Sequence, residues 1–365
     1  MRRMMIRDIH KILAVLLLVV ISFFACRRVD ETKLSPSVLD LPSMDPELSM
    51  FAQAIQRTGV KKTIGFPLIS LLAPTNQAFQ AAGITDVNTV DLTTLTNIVN
   101  YHIINTNIDS ARFDIDYWGI LDNFNNNAYQ TLNFAIVNAF VYFNHRTPNV
   151  PQFGYTTSPV PNGLMAFNGA NVVRPNGILR GAEGTMFKIE RVLFPPAGLL
   201  SEMIAANPDL SLFNRAIRRA TATGQTLNFA INPLHLGALP TPAQAGSGTT
   251  AARQASRTVF APNNAAMLNA GLNEATIDAY TPTALFDIVA RHVIAERCFT
   301  SFYFPAPATN SNQPTLRTGT SINVVVNDAG VNVGIVGSSN PRANVIVPNR
   351  IAVNGIIHII DRVMQ

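Results

Sequence analysis

Residues 45–55 read DPELSMFAQAI, and residues 207–217 read NPDLSLFNRAI. Six of the eleven positions are identical, at an offset of 162. Two more pairs follow in the same order. LLAPTNQAF (71–79) returns as VFAPNNAAM (259–267), and EGTMFKIERVL (183–193) returns as NGIIHIIDRVM (354–364). Solenoid units repeat about every 20–50 residues. A spacing this much larger means that a whole domain is present twice, and 365 residues accommodate two domains of ordinary size.

Within each copy the pattern runs from helices to strands. Leu48, Phe51, Ala54 and Ile55 fall on one face of a helix, with Asp45 as its expected N-cap and Pro46 at its first position. Leu210, Phe213, Ala216 and Ile217 repeat that face. A short apolar strand then meets Ala73-Pro74-Thr75-Asn76, or Ala261-Pro262-Asn263-Asn264. There the proline stops the strand, and Thr75 or Asn263 is placed to cap the next helix. A further helix ends in Tyr101-His102, matched by Arg291-His292. The last third of each copy reads as strands. INVVVNDAGVNVGIV (322–336) is a hairpin, and Asn354-Gly355 turns between the final two strands.

These residues resemble the fasciclin domain family, in tandem. Ala73 to Phe79 matches the family's strand-then-Ala-Pro-Thr-Asn signature, and Ala261 to Met267 matches it with Asn for Thr and Met for Phe. Tyr101-His102 matches its Tyr-His pair. Asn354, Gly355, His358, Ile360, Asp361, Val363 and Met364 nearly complete its last signature, in which copy one carries Phe187 for His and Glu190 for Asp. The resemblance implies an α+β fold, two fasciclin-like domains, each a small β-sandwich or wedge with helices packed on one side. It gives Pro74, Thr75, Tyr101, His102, Pro262, Asn263, His292, Asn354, Gly355, His358 and Asp361 structural roles. It also implies adhesion, with a protein or glycan as the partner.

The chain opens with a basic stretch, an apolar run from Ile12 to Phe24, and then Ala25-Cys26. Thirteen helical residues rise about 20 Å, short of the ~30 Å hydrocarbon core, so a secretory signal fits better than a span. Phe23-Phe24-Ala25-Cys26 resembles a bacterial lipobox, which implies cleavage before Cys26 and lipid attachment there. A plain signal with an incidental cysteine is the alternative. The expected organisation is a signal peptide over 1–25 and a lipid-anchored polar tether over 26–43. The first domain follows over 44–196 and the second over 197–365. The expected location is the cell envelope, as an extracytoplasmic and outer-membrane lipoprotein.

Charged residues make up 13% of the chain and hydrophobic residues 47%, which argues for packed structure. Loss of Arg2, Arg3, Arg7, Lys11 and Asp8 with the signal takes the net charge from +5 to +2. No basic run with interleaved aromatics is left to favour nucleic acid. With two cysteines, and Cys26 acylated, Cys298 has no disulfide partner within the chain and reads as a buried thiol.

The sequence shows no phosphate loop, H-E-x-x-H or G-x-S-x-G. No catalytic residue, cofactor or metal is assigned, and Asp114 with Asp116 is too small a set for calcium. His102 and His292 sit at equivalent places, which suits a satisfied core histidine better than a catalytic one.

The copies differ by insertions. Copy two carries a Gly/Pro/Ala/Thr-rich loop around 225–256. Copy one carries the stretch 113–155, which holds eleven of the 29 aromatic residues beside several asparagines. Tyr117, Trp118, Asn125 and Asn126 are the candidate partner-binding residues there, since a flat apolar ring beside an amide suits a sugar or a protein surface. Packing of those rings into an enlarged core is the alternative. Two further functions stay open: an accessory lipoprotein capturing ligand beside an outer-membrane uptake complex, and a polysaccharide-active enzyme, for which no paired carboxylates are evident.

Overall fold

The structure, a computed structural model, describes residues 35–65, 68–108, 127–132, 140–146, 164–173, 176–220, 257–294, 298–300, 312–327 and 330–365. The chain divides into a unit over Met1–Pro36 and a unit over Ser37–Gln365 that contains both copies.

The parallel pairing of two buried strands organises each copy. In copy one, β1 (Ile69–Pro74) lies parallel to β8 (Gly184–Ile189). β2 (Ile103–Ile104) flanks β1 and β7 (Ile178–Gly181) flanks β8, both antiparallel. In copy two, β9 (Arg257–Pro262) lies parallel to β15 (Gly355–Ile360), flanked by β10 (Val293–Ile294) and β14 (Ala343–Ala352). A parallel pair needs a long crossover. This explains why the two family signatures stand at opposite ends of each copy: they are neighbouring strands.

A second group of strands completes each copy. Copy one has β3 (Asn127–Gln130), β4 (Phe140–Arg146), β5 (Leu164–Phe167) and β6 (Ala170–Asn171), all antiparallel. Copy two has β11 (Asn312–Pro314), β12 (Ser321–Asn327) and β13 (Gly330–Ile335), which pairs with the start of β14. There β14 runs on into the other group through register shifts between Val345 and Arg350, so copy two is one seven-stranded sheet. Pro348 and Asn349, the latter at φ 60°, sit inside that irregularity. Proline cannot donate to a ladder, which confines it to such places.

The central strands are buried on both faces and therefore read as unbroken apolar runs. Ile69, Leu71, Ala73 and Met186 face helices α1 (Ser49–Thr58), α2 (Asn76–Ala81) and α3 (Leu92–Tyr101). Leu72, Phe187 and Ile189 face the other way, with Tyr101, Ile104 and Phe167. Copy two repeats this arrangement. Val259, Ala261, Ile357 and Ile359 meet helices α4 (Leu200–Ala205), α5 (Ser211–Ala220), α6 (Asn264–Asn269), α7 (Glu274–Ala279) and α8 (Pro282–Ala290). Phe260 and Ile360 join Ile322, Val324 and Val333 on the far side. The fold is α+β, with helices against one face of the central strands and a second layer of strands against the other.

Asp45 caps a short 3₁₀ turn, Pro46–Leu48, by accepting from Glu47 N, and that turn feeds α1. Thr75 and Asn263 cap α2 and α6 as their place after the proline predicts, accepting from Ala78 N and Ala266 N. The next residue clamps the first helix of its own copy. Asn76 accepts from Met50 N at 2.9 Å and donates to Pro46 O; Asn264 accepts from Leu212 N at 3.0 Å and donates to Pro208 O.

The tether expected over 26–43 does not extend that far. Val38, Leu39 and Leu41 are buried in the helix-side core of copy one. Val38 N donates to the Glu183 carboxylate at 2.9 Å, as Leu200 N in copy two donates to Asn354 Oδ1 at 2.8 Å. The two pairs are equivalent, so the repeat begins earlier than its most similar stretch suggests. The polar look of 27–43 hides three apolar side chains that the core requires.

Gly355 marks the closest backbone approach in copy two. A Cβ there would sit 2.1 Å from Arg257 O and 2.7 Å from a Leu200 methyl. Gly355→Ala is expected to push apart the central strand pair and the first helix of copy two, costing on the order of 2–4 kcal/mol. Urea unfolding checks it: the transition of copy two should move to lower denaturant.

Candidate functional site

The buried histidines are the first side chains to test for chemistry, and the geometry gives each a structural task. His102 follows α3, and its Nδ1–H donates to Ile98 O at 2.8 Å while Nε2 accepts from Leu193 N at 2.9 Å. His292 follows α8 with the same pair, Ile288 O at 2.8 Å and Met364 N at 2.9 Å. Each ring joins a helix end to the chain leaving the last strand, and each lies against a phenylalanine, Phe51 or Phe213. His358 uses the opposite tautomer: Nε2–H donates to Cys298 O at 2.9 Å and Nδ1 accepts from Asn349 N at 3.2 Å. Its ring stacks on Phe260. Burial pushes all three down to about 4, with the backbone hydrogen bonds acting the other way.

The remaining signature residues serve the frame as well. Tyr101 is fully buried, and its hydroxyl accepts from Asn168 Nδ2 at 3.0 Å. Asp361 accepts from Asn344 N and Nδ2, both at 2.7 Å. Glu190 does the same for Asn171 in copy one, so the Asp-to-Glu change preserves the contact. Pro74 and Pro262 end their strands opposite Ile189 and Ile360. Lys188, a buried lysine, is paired with Asp45 and Glu47 at 2.5 and 2.8 Å. Burial opposes its charge, but the two carboxylates more than offset that and hold its pKa above the ordinary lysine value. Cys298 is buried. Among the described residues no three His, Cys, Asp or Glu side chains gather to hold a metal.

Tyr117, Trp118, Asn125 and Asn126 lie outside the described residues, as do Cys26, Asp114, Asp116 and the loop around 225–256.

Sequence reasoning did not find the cleft where the copies meet. Its volume is about 440 Å³, inside the range usual for small-molecule sites. Copy one contributes the end of α2, the Asn168–Ala170 turn and residues 191–195; copy two contributes Met203 and the irregular stretch of β14, Ile346–Ile351. The copies touch closely beside it. A Cβ on Gly169, itself at φ 75°, would lie 2.3 Å from the Asn349 amide nitrogen. That amide is fixed inside copy two by Thr300, accepting from Thr300 N at 2.8 Å and donating to Thr300 Oγ1 at 2.6 Å. The one signal for this place in the sequence was Asn-Gly at 168–169 with Pro-Asn at 348–349. Both are turn-forming pairs within stretches that read as strands, with nothing to say that they meet.

The fasciclin domain profile matches residues 46–195 and 241–365, the greater part of the chain, which therefore belongs to the fasciclin domain family. It is a tandem pair of such domains, and the family is generally involved in cell adhesion or binding. Among solved structures it is similar to a FAS1 domain pair from the insect cell adhesion molecule fasciclin I. That likeness is 18% sequence identity over 87% of this chain and 97% of that one, with a TM-score of 0.36. No curated protein sequence matches it.

The neutral histidines give a pH dependence of known sign. Their folded-state pKa lies near 4 against 6.5 unfolded. Between those values the unfolded chain binds more protons, so stability is full above about pH 6.5 and is lost as pH falls toward 4. Each histidine contributes up to about 3 kcal/mol to that loss. Thermal unfolding at pH 7.5, 6 and 5 should show a falling Tm. His292→Ala strands Met364 N and Ile288 O, and is expected to cost on the order of 2–4 kcal/mol at neutral pH. A variant that melts normally would contradict the structural role.

Proposed function

We propose that this protein is an exported, lipid-anchored surface protein that works by binding rather than by catalysis. Its two fasciclin domains hold a protein or glycan partner. The observation that carries this reading is the joining of two domains of a binding family to a start that is basic, then apolar, then Ala25-Cys26. Several acyl chains on Cys26, each adding about 0.8 kcal/mol per buried CH₂, would hold the chain firmly to a bilayer. Among the described residues no helix is long and apolar enough to cross a membrane.

The partner surface in this reading is the copy-one insert. The repeated motifs serve hydrogen bonds that both copies share, such as those of Asn76 and Asn264. Within 113–155, β3 and β4 belong to the strand group that copy two also has, and the remainder, with Tyr117, Trp118, Asn125 and Asn126, is copy one's own; aromatic rings beside amides are common recognition groups.

Two experiments test this. Cys26→Ser should move the protein from the membrane to the soluble fraction. A mutant that stays with membranes after a carbonate wash would rule out the anchor. On a glycan and surface-protein array, Tyr117→Ala and Trp118→Ala should each weaken binding by more than about 1 kcal/mol with little change in Tm. Early unfolding of both would assign the rings to the core instead.

A further inference from the structure

Several side chains that the fold leaves without a task lie along the cleft between the copies. Nine large apolar residues are exposed among the described ones, and three of them, Phe194, Ile346 and Val347, lie along this one cleft. Scattered exposed apolar residues need no explanation, but a cluster on a concave surface does. Phe194 comes from copy one and the other two from copy two, so neither copy forms the wall alone.

Arg191 opens into the same space. It makes no hydrogen bond and no salt bridge among the described residues, although burial draws its pKa below the ordinary arginine value. Glu190, the acid that favours its charge, is occupied: one oxygen accepts from both Asn171 N and Asn171 Nδ2. His358, close enough for Arg191 to act on it, is neutral and engaged at both ring nitrogens. The exposed Arg350 adds a second positive charge at the rim, and no acidic side chain is among the described residues lining the cleft. A guanidinium held partly out of water with its donors unused is costly unless a counter-ion supplies what water no longer does. Its planar fork suits a carboxylate, and the apolar wall beside it suits a hydrocarbon.

We propose that this cleft binds a small amphipathic anion, a carboxylate on a hydrocarbon chain or ring. The carboxylate lies on Arg191 and the hydrocarbon lies against Phe194, Ile346 and Val347. The site belongs to the pair of domains, and its occupant touches both. The proposal is independent of the adhesion reading and of the copy-one insert.

Isothermal titration of the full chain with octanoate, 1-octanol and acetate tests it. Octanoate should bind saturably at one site, and octanol and acetate at least tenfold more weakly, because each lacks one of the two features. Arg191→Met should fold with an unchanged Tm and bind octanoate no better than octanol. Ala81→Phe adds a ring to the cleft from an exposed helix position and should weaken octanoate at least tenfold. It serves as the control if Arg191→Met fails to fold. Equal binding of octanoate and octanol to the native chain would overturn the proposal. So would undiminished octanoate binding by Ala81→Phe or by a folded Arg191→Met, or the lack of any saturable binding.

Discussion

A neutral imidazole, closed off from water, holds each domain together. His102 and His292 use both ring nitrogens, one as donor to a helix carbonyl and one as acceptor from the backbone just past the final strand. Those two pieces of chain are 91 and 72 residues apart. An N–H or C=O left unpaired in such a place costs about 1–3 kcal/mol, so the ring fixes a long-range contact that apolar packing alone would leave loose. Only the uncharged ring has one donor and one acceptor. The fold therefore keeps these histidines neutral, and acidification works against the same contact in both copies.

The central parallel strand pair has a comparable dependence on shape. Its two strands bury both faces, so helices and outer strands each receive half of their side chains. Small departures at the ends of this pair are tolerated where they conserve the contact. Glu183 stands where copy two has Asn354, and Glu190 where it has Asp361. In each case a side-chain oxygen still accepts from the same backbone position. Phe187 replaces His358 outright, and there the contact changes kind: Phe187 packs on Phe167, whereas His358 stacks on Phe260 and bonds Cys298 O.

Duplication has also made a place that neither domain has alone. In copy two the single strand β14 passes through both groups of strands, with Asn349 at positive φ in the bend. In copy one the corresponding path is the separate strands β6 and β7. The Asn349 side-chain amide rests on Gly169 of the first copy, and the absence of a side chain on Gly169 makes room for it. The cleft beside this contact collects Arg191, unpaired among the described residues, and three exposed apolar residues, Phe194, Ile346 and Val347.

The sequence by itself determined the duplication, the α+β class and the local devices. Asn263 and Thr75 as caps, the prolines that end strands and the apolar faces of α1 and α5 depend on neighbours within a few residues. Their chemistry is therefore written in short stretches. The buried nature of His102 and His292 was legible too, because each ends an apolar helix in both copies. What only the tertiary structure decided depends on distant pairs. The first copy begins at Val38 rather than 44, because Val38 is held by Glu183, 145 residues away. The seven-stranded continuity of copy two rests on one irregular strand. The cleft needs Arg191 and Phe194 brought against Ile346 and Val347. Nothing local in either stretch encodes that meeting, because the two segments share no period, cap or turn and are joined only by the packing of whole domains.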